Sequence, residues 1–362
     1  MRFGFFMQSY LADYNFGCAH FLRGLIRELL ELGHTVEVFC PEDSWVTARS
    51  RELGGDTAIA EAREVYPAVA TVLFGPDFTD IEARLVTLDA VVVNEWIDDM
   101  IARRIGAYGA ASGRLVTLYY DTHHRVVTAT GELRAAGVDL YSGVLVLAES
   151  VRAAYLSRSL AARVTVFSEA VDDQRFTRSP SRSGHGPVVW IGNYGNDERG
   201  DALLTALIGL TTKHGLSVEC YGVGYPPVAV ERMEAASVHV GGWLPNTRVP
   251  IVAANARWML HIPRGPYAAE LAGVPNIRPY EAAGLAVPLV VISASPLGFP
   301  FAPDEHYLLF PDVERCLDAV PELLRRPERL EQMARRAHDM VMSGHTCRDR
   351  AHALIALVDG HR

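Results

Sequence analysis

Short apolar runs alternate with amphipathic segments from one end of the chain to the other. In the first half, these runs predict strands at residues 2–9, 34–40, 88–94, 114–120 and 143–147. Between the first two runs, residues 21–30 carry Phe, Leu and Ile at helical spacing, and Gly33 ends the predicted helix. Fully apolar short strands separated by helices are typical of a parallel sheet that is covered on both faces.

The alternation is interrupted at residues 172–186, a polar stretch rich in Ser, Arg and Gly that predicts a linker. It then restarts, with strands predicted at 187–192, 217–222, 257–262 and 287–292 and a helix at 201–214. The sequence therefore predicts an α/β protein of two Rossmann-like domains, residues 1–171 and 187–327, whose parallel sheets face a central cleft. Residues 328–362 are predicted to be helical.

Composition narrows the class of protein. The chain has 362 residues, which corresponds to about two domains at roughly 150 residues each. Its net charge of -9 argues against a protein built to coat nucleic acid. Lys213 is the single lysine among 34 basic residues, so a grip on phosphate has to come from arginine, helix N-termini or backbone amides.

The cysteines and the apolar stretches indicate the compartment. Five cysteines, far apart and without a CxxC pair, favour neither a disulfide framework nor a zinc site. Met1 and Arg2 lead directly into a strand-like run, which does not resemble a signal peptide. The longest uncharged stretch, residues 282–303, contains four prolines, so it is interpreted as a buried strand and a loop rather than a membrane span. We therefore expect a soluble, cytoplasmic protein.

Two polar segments follow predicted strands in the first half. The loop after the first strand leads to Gly17 near a helix N-terminus, which suits a diphosphate, although a plain turn is an equal alternative. The strand at 114–120 is followed by Asp121, Thr122, His123, His124 and Arg125. In this cluster Asp121, His123 and His124 are candidate catalytic groups, and the alternative is a cap in which Asp121 accepts hydrogen bonds from backbone amides. No third ligand stands near the histidine pair, so no metal site is predicted.

Two further segments lie in the second half. The glycine-flanked loop at residues 192–200 places Arg199 at the start of the next helix, where it can meet a phosphate. Asn276 is a candidate N-cap for a short helix. Glu281 lies about one turn further on, where it can accept two hydrogen bonds from a ribose diol, and Arg278 adds a cation. The alternative is an i,i+3 salt bridge between Arg278 and Glu281.

The order of these segments resembles that of GT-B glycosyltransferases. Within that fold the chain is similar to the retaining family-4 enzymes, and more closely to bacterial glycosyltransferases with a spore-maturation-type C-terminal half. The resemblance is carried by residues 94–96, 121–125, 168–170, 242–246, 277–284 and 345–350. It implies a nucleotide-sugar donor held mainly by the second domain, and final helices that pack back on the first domain.

The resemblance also implies roles for individual residues. Glu281 corresponds to the glutamate that binds the ribose hydroxyls, and Arg199 corresponds to the basic residue that holds the diphosphate. Gly192 and Asn193 correspond to the loop near the phosphates. Trp243 and Leu244 correspond to the region beside the base, and Arg264 corresponds to a second cation.

Gly273 departs from the family pattern, because the retaining enzymes usually carry a glutamate eight residues before the ribose-binding one. The role of that glutamate in positioning the sugar is then expected to pass to backbone amides around Val274–Ile277, or to Glu270. Tyr120 is a second departure, because relatives tend to carry a histidine there. A catalytic histidine, if the enzyme uses one, is then expected within the His-His pair that follows.

The predicted reaction moves a sugar from a nucleoside diphosphate donor, with UDP-sugars among the candidates, to a small-molecule or glycan acceptor. By resemblance it retains the anomeric configuration and belongs to EC 2.4. The donor is a co-substrate and no other cofactor is expected; without a DxD motif, no metal is expected to be essential. Nucleic acid and integral membrane segments are not predicted, and the oligomeric state stays open. The alternatives are an epimerase on the same fold and a non-catalytic nucleotide-sugar-binding or assembly protein.

Overall fold

A computed structural model describes residues 1–179, 184–195 and 198–361. These residues form two compact units, one made of Met1–Glu169 and Cys347–Arg362 and the other of Ala170–Thr346. The predicted linker at 172–186 includes residues 180–183, which lie outside the described residues. Each unit contains a parallel sheet with helices, so the predicted α/β class is confirmed.

The described residues of the first unit form a sheet of seven strands: β1 Arg2–Phe6, β2 Thr35–Pro41, β3 Ala70–Phe74, β4 Ala90–Asn94, β5 Val116–Asp121, β6 Gly143–Val146 and β7 Val164–Val166. Their order is β3-β2-β1-β4-β5-β6-β7, and neighbouring strands are parallel. The order reverses between β1 and β4, the point at which open α/β sheets bind ligands. Both faces of β4 and β5 are buried, which explains why these strands are continuous apolar runs.

Helices cover this sheet: α1 Ala19–Glu31, α2 Trp45–Gly54, α3 Thr57–Val65, α4 Ile81–Leu85, α5 Asp99–Ser112, α6 Arg125–Thr128, α7 Thr130–Ala135 and α8 Glu149–Ser157, with a 3₁₀ turn at Val138–Leu140. Helix α1 is buried along most of its length, as its predicted apolar spacing requires. It ends at Glu31, and Gly33, with a φ of +82°, turns the chain toward β2.

The described residues of the second unit form a sheet of six strands: β8 Val188–Ile191, β9 Val218–Tyr221, β10 His239–Gly242, β11 Trp258–His261, β12 Leu289–Ile292 and β13 Leu308–Phe310. Their order is β10-β9-β8-β11-β12-β13, and all pairs are parallel. The order reverses between β8 and β11, as it does between β1 and β4. The long uncharged stretch at 282–303 contains the buried strand β12, as predicted.

The helices of the second unit are α9 Gly200–His214, α10 Pro227–Ala235, α11 Val249–Ala253, α12 Gly265–Ala269, α13 Ile277–Gly284, α14 Val313–Arg325 and α15 Pro327–Met342, with a 3₁₀ turn at Asn246–Arg248. The C-terminal segment was expected to pack on the first domain. Its helix α15 lies in the second unit, where the His338 ring contacts the carbonyls at the end of α13. The final helix, α16 Cys347–Asp359, lies in the first unit and packs on α1, where Arg348 pairs with Glu28 at 2.9 Å.

Within the described residues, no helix combines the length and the apolar composition that crossing a bilayer requires.

Candidate active site

In the first unit, the segments after β1 and β4 meet where the strand order reverses. The Gln8 side chain donates a 2.6 Å hydrogen bond from Nε2 to the carbonyl oxygen of Trp96. Gln8 is buried and Trp96 is half-buried. This bond ties two loops together at the carboxyl edge of the sheet, where ligands of this fold class bind.

Glu95 is a buried carboxylate that directly follows β4. It accepts hydrogen bonds from Asn94 Nδ2 at 2.8 Å, from the Thr122 amide at 3.1 Å and from the Thr122 hydroxyl. Burial raises the pKa of Glu95 to about 7, the charge of Asp121 adds to the effect, and Arg125 opposes it. Sequence reasoning did not select Glu95 as a site residue, and two of its three hydrogen bonds come from Thr122, 27 positions away in the chain.

Asp121 ends β5 with no exposed surface. One carboxylate oxygen accepts the His123 amide at 3.0 Å, and the other accepts the Tyr155 hydroxyl at 2.5 Å. Burial raises the pKa of Asp121, while these two hydrogen bonds and Arg125 lower it. A fully buried carboxylate with a donor on each oxygen has the contacts of the capping alternative, and the role of Asp121 as a base stays a prediction.

The two candidate histidines have different environments. Their rings lie 3.8 Å apart between centroids. His124 is buried and its Nδ1 lies 2.9 Å from the Thr128 hydroxyl, so its ring is held at the N-terminus of helix α6. His123 is half-buried and packs edge-on against Trp96 at 5.4 Å. Of the two, His123 is the better placed to reach a substrate, and its catalytic role stays a prediction.

Gly17 lies in the turn before α1, where Cys18 is the N-cap residue and provides no side-chain hydrogen bond to the helix. Gly17 is exposed, and a Cβ added there would meet nothing within 4 Å. Neither packing nor a left-handed φ therefore requires glycine at this position. The predicted close approach of a ligand remains a prediction.

In the second unit, Arg199 spans the point at which the strand order reverses. Its guanidinium donates to the Asn193 carbonyl at 3.2 and 2.8 Å and to the Ile262 carbonyl at 2.9 Å, so it joins the loops after β8 and β11. The same group lies 5.0 Å above the ring of Trp190. Burial lowers the pKa of Arg199 to about 10, which leaves it a cation at neutral pH. Residues 196 and 197 of the predicted loop lie outside the described residues.

The loop that carries Gly192 is held by close backbone contact. A Cβ on Gly222 would lie 2.0 Å from the Gly192 carbonyl oxygen, so only glycine fits there. The same oxygen accepts hydrogen bonds from Trp190 Nε1 at 3.1 Å and the Tyr225 hydroxyl at 2.8 Å. Asn193, predicted beside the phosphates, accepts the Val223 amide at 3.2 Å through Oδ1. The loop is therefore fixed before any ligand binds.

His261 ends β11 and was not predicted as a site residue. Its side chain is 2% exposed, and within the described ranges its Nε2 has no hydrogen-bond partner. Burial lowers the pKa of His261 to about 3, and the neighbouring charges of Arg199 and Arg278 add to the effect. A neutral imidazole thus lies beside two cations. The signal in the sequence was a polar residue at the carboxyl end of a buried strand.

Asn276 caps α13, as predicted, by accepting the Arg278 amide at 3.2 Å. Ile277 is the first residue of the helix and is buried. Arg278 and Glu281 form a salt bridge, and the Glu281 side chain has no exposed surface. Burial raises the pKa of Glu281, and Arg278 opposes it. The structure thus shows the salt-bridge alternative, and ribose binding by Glu281 stays a prediction.

Arg264, Trp243 and Leu244 lie at the same edge of the sheet. Arg264 follows β11 and forms a two-bond salt bridge with Glu198, at 2.7 and 2.8 Å, so its charge is already balanced. Trp243 and Leu244 follow β10 and are half-buried.

In the described part of the chain, no group of three or more His, Cys, Asp or Glu side chains is placed to hold a metal ion.

Comparison with solved structures finds the same fold over nearly the whole chain. Sucrose-phosphate synthase from Thermosynechococcus elongatus is 13% identical, with a TM-score of 0.70 over 99% of this chain and 98% of that chain. HepE from Anabaena, in complex with UDP, is 14% identical, with a TM-score of 0.68 over 99% and 100%. An alpha-glucosyltransferase in complex with UDP and a 13-mer DNA is 11% identical, with a TM-score of 0.71 over 99% of each chain.

The fold that these structures share with the chain is the GT-B fold of glycosyltransferases, which confirms the fold predicted from the sequence. In addition, residues 201–356 match the family model described as glycosyl transferase-like. The fold and this partial family match agree with the predicted class of protein, a glycosyltransferase. No curated protein matches the sequence.

Proposed function

We propose that this protein transfers a sugar from a UDP-sugar, with UDP-glucose as the first candidate, to a small-molecule or glycan acceptor. The proposal includes retention of the anomeric configuration and no essential metal ion. The observation that carries it is the placement of Arg199, whose guanidinium bridges the loops after β8 and β11. A diphosphate is the ligand that this position suits, because it lies at the reversal of strand order and at the N-terminus of α9.

The charges around Arg199 support binding of a diphosphate leaving group. Negative charge grows on that group as the glycosidic bond breaks, and fixed cations stabilise it more in the transition state than in the ground state. Arg199 supplies one cation and Arg278 supplies another, whose charge the salt bridge to Glu281 partly offsets. The first turn of α9 supplies amides without a side-chain cap. His261 supplies a neutral imidazole, which hydrogen-bonds a phosphate or a sugar hydroxyl without adding charge.

The relatives support the choice of uridine and glucose. HepE has been solved with UDP and with UDP-glucose, and the alpha-glucosyltransferase has been solved with UDP. We extend these ligands to this chain because its second unit offers arginines and backbone amides at the carboxyl edge of its sheet, where open α/β sheets bind ligands. The base, on this proposal, lies beside Trp243 and Leu244.

Binding of nucleotides to the purified protein tests the donor. We expect UDP and UDP-glucose to raise the melting temperature by roughly 2–4 °C at about a hundred times the dissociation constant, with and without EDTA. GDP, ADP and dTDP should produce smaller shifts. The matched control is Arg232→Ala, which removes an exposed arginine on α10 and should leave the UDP shift unchanged. Absence of a shift with every nucleotide would contradict the donor assignment.

Turnover tests the reaction and the first-unit site. Release of UDP from UDP-glucose should require an acceptor, and isomerised donor without acceptor would indicate an epimerase instead. His123→Ala should lower turnover more than His124→Ala, because His124 is buried against Thr128. Full turnover in both variants would show that neither ring takes part in catalysis.

A further inference from the structure

A cavity of about 490 Å³ lies at the carboxyl ends of β1 and β2, entirely within the first unit. Its walls are mostly apolar and include Leu11, Ile59, Tyr66 and Leu73. Leu73 on β3 is 61% exposed, an unusual state for a large apolar side chain on a strand. The volume falls within the range of pockets that hold drug-sized molecules.

One wall of the cavity is rigid before any ligand binds. Arg23 is fully buried and donates to the carbonyl oxygens of Tyr10, Leu11 and Ala12, at 2.6, 2.9 and 3.2 Å. It also pairs with Asp13 at 3.2 Å. These bonds fix the conformation of the loop after β1, which forms the wall. A preformed wall lowers the conformational entropy that binding has to overcome.

Few polar groups line the cavity, and its arginines differ in whether they form an ion pair. Arg51 forms an ion pair with Asp56 at 3.3 Å. Arg63 is exposed and, in the part of the chain that the structure describes, makes no ion pair. Glu42 is the one carboxylate that lines the cavity. An apolar ligand with a single anionic substituent near Arg63 therefore complements the cavity better than a sugar covered with hydroxyl groups does.

Aromatic rings connect the cavity to the polar cluster after β5. His123 packs on Trp96 at 5.4 Å, and Trp96 packs on Trp45 at 6.2 Å. Trp45 opens helix α2, and Thr47 of the same helix lines the cavity. A molecule seated in the cavity thus lies along the same edge of the sheet as His123, within one unit.

We propose that this cavity binds the acceptor, and that the acceptor is a hydroxylated, ring-containing apolar molecule rather than an oligosaccharide. The assignment of the bound molecule as an acceptor rests on the proposed glycosyltransferase reaction. The cavity holds the rings against Ile59, Tyr66 and Leu73, and Arg63 favours a carboxylate on the ligand.

Fluorescence titration of the full chain tests the cavity with two probes, 7-hydroxycoumarin and 7-hydroxycoumarin-3-carboxylate. We expect both to bind, the carboxylate more tightly. Ala68→Trp places a large side chain at the cavity and should weaken both by about tenfold or more. Ala60→Trp, at an exposed position of the neighbouring helix that does not line the cavity, should change neither.

The charge is tested separately. Arg63→Gln should abolish the preference for the carboxylate while the neutral probe keeps its affinity, and Arg49→Gln on the exposed face of α2 should preserve the preference. Wild-type binding in Ala68→Trp, or binding of maltotriose in place of both coumarins, would overturn the proposal.

UDP binding is measured in every variant and should not change. Coumarin binding without UDP binding would reject the proposed reaction, and with it the acceptor role. UDP binding without coumarin binding would reject the cavity alone.

Discussion

The two sheets reverse their strand order in the same way, yet the side chains at the two reversals have opposite chemistry. In the first unit, Glu95 and Asp121 are buried carboxylates whose oxygens accept hydrogen bonds. In the second unit, Arg199 and Arg278 are cations beside the neutral imidazole of His261. The shared topology therefore determines where a ligand binds, and the residues after each strand determine which ligand chemistry is favoured.

The difference also concerns how each site is held. The carboxylates of the first unit fix loops to each other and have little surface left for a substrate. In the second unit, the loops are fixed mainly by backbone contact, because Gly222 packs against the Gly192 carbonyl. Side chains such as Arg199 are then positioned with N–H groups still available, since its three hydrogen bonds use three of five donors. We infer that the buried carboxylates at the first reversal position the surface residues around them. At the second reversal, we infer that side chains such as Arg199 bind ligand directly.

Replacing Arg199 should have the largest effect. We expect Arg199→Ala to lower turnover with UDP-glucose by about 10²–10³-fold, because it removes a fixed cation from the leaving group. Arg199→Lys should retain the charge and lose the two-loop bridge, with an intermediate loss of about tenfold. Steady-state kinetics measure both, with thermal unfolding to verify the fold and Arg232→Ala as the control. Wild-type turnover in both variants would remove Arg199 from the site.

Replacing Glu281 should mainly affect stability. Glu281→Ala leaves the Arg278 guanidinium without its carboxylate in a largely buried position, which should cost about 2–4 kcal/mol of unfolding free energy. Urea denaturation measures this cost, and the double variant Arg278→Met with Glu281→Ala should recover part of it. The resemblance further predicts a weaker affinity for UDP in Glu281→Ala. Unchanged UDP affinity in the folded variant would reject the ribose-binding role.

The fold was predictable where strands are buried on both faces. Strands β4, β5, β8, β11 and β12 have all their residues buried, and each was predicted from its apolar run. The edge strands β3, β7, β10 and β13 were not predicted. Exposed positions alternate with half-buried ones in β10, whose sequence His-Val-Gly-Gly is not an apolar run. Three of the five residues of β3 are exposed, and this strand was missed although Val72, Leu73 and Phe74 are apolar.

The site was predictable only where one segment of chain defines it. Arg199 and Asn276 were selected because a glycine-rich loop or an N-cap lies next to them in the sequence. Glu95 and His261 were not, because their environments depend on Thr122, Arg199 and Arg278, which lie far away in the chain. A buried polar residue at the end of an apolar strand is the local signal that both share.

The pH dependence of stability sharpens the contrast, because Glu95 is a carboxyl whose pKa is raised to about 7. The folded protein binds a proton there that the unfolded chain releases near pH 4.5, so this group's contribution to stability declines as pH rises from about 4.5 to 7. In Glu95→Gln that decline should disappear. The free energy of unfolding of the variant should therefore rise by on the order of 1–3 kcal/mol relative to wild type across this range. Urea denaturation at a series of pH values measures it.

The control for this pH series is Glu64→Gln, which changes an exposed carboxyl on α3. Parallel pH profiles for wild type and Glu95→Gln would show that Glu95 ionises normally. The first reversal would then not hold a carboxyl whose pKa is raised by burial, which would remove this difference between the two reversals.

We expect the smallest change in stability at Gly17. A loss of UDP affinity in a variant at this position would therefore report contact with the ligand rather than a damaged fold. An added Cβ meets nothing within 4 Å, so Gly17→Ala should alter unfolding free energy by less than about 0.5 kcal/mol. If a diphosphate approaches this backbone as predicted, the methyl group should still weaken UDP affinity by several-fold. Calorimetric titration with UDP measures it, and Gly131→Ala, at another position with open space, is the control. Unchanged affinity would leave donor binding to the second unit alone, because only contact with a ligand can make the Gly17 methyl group costly.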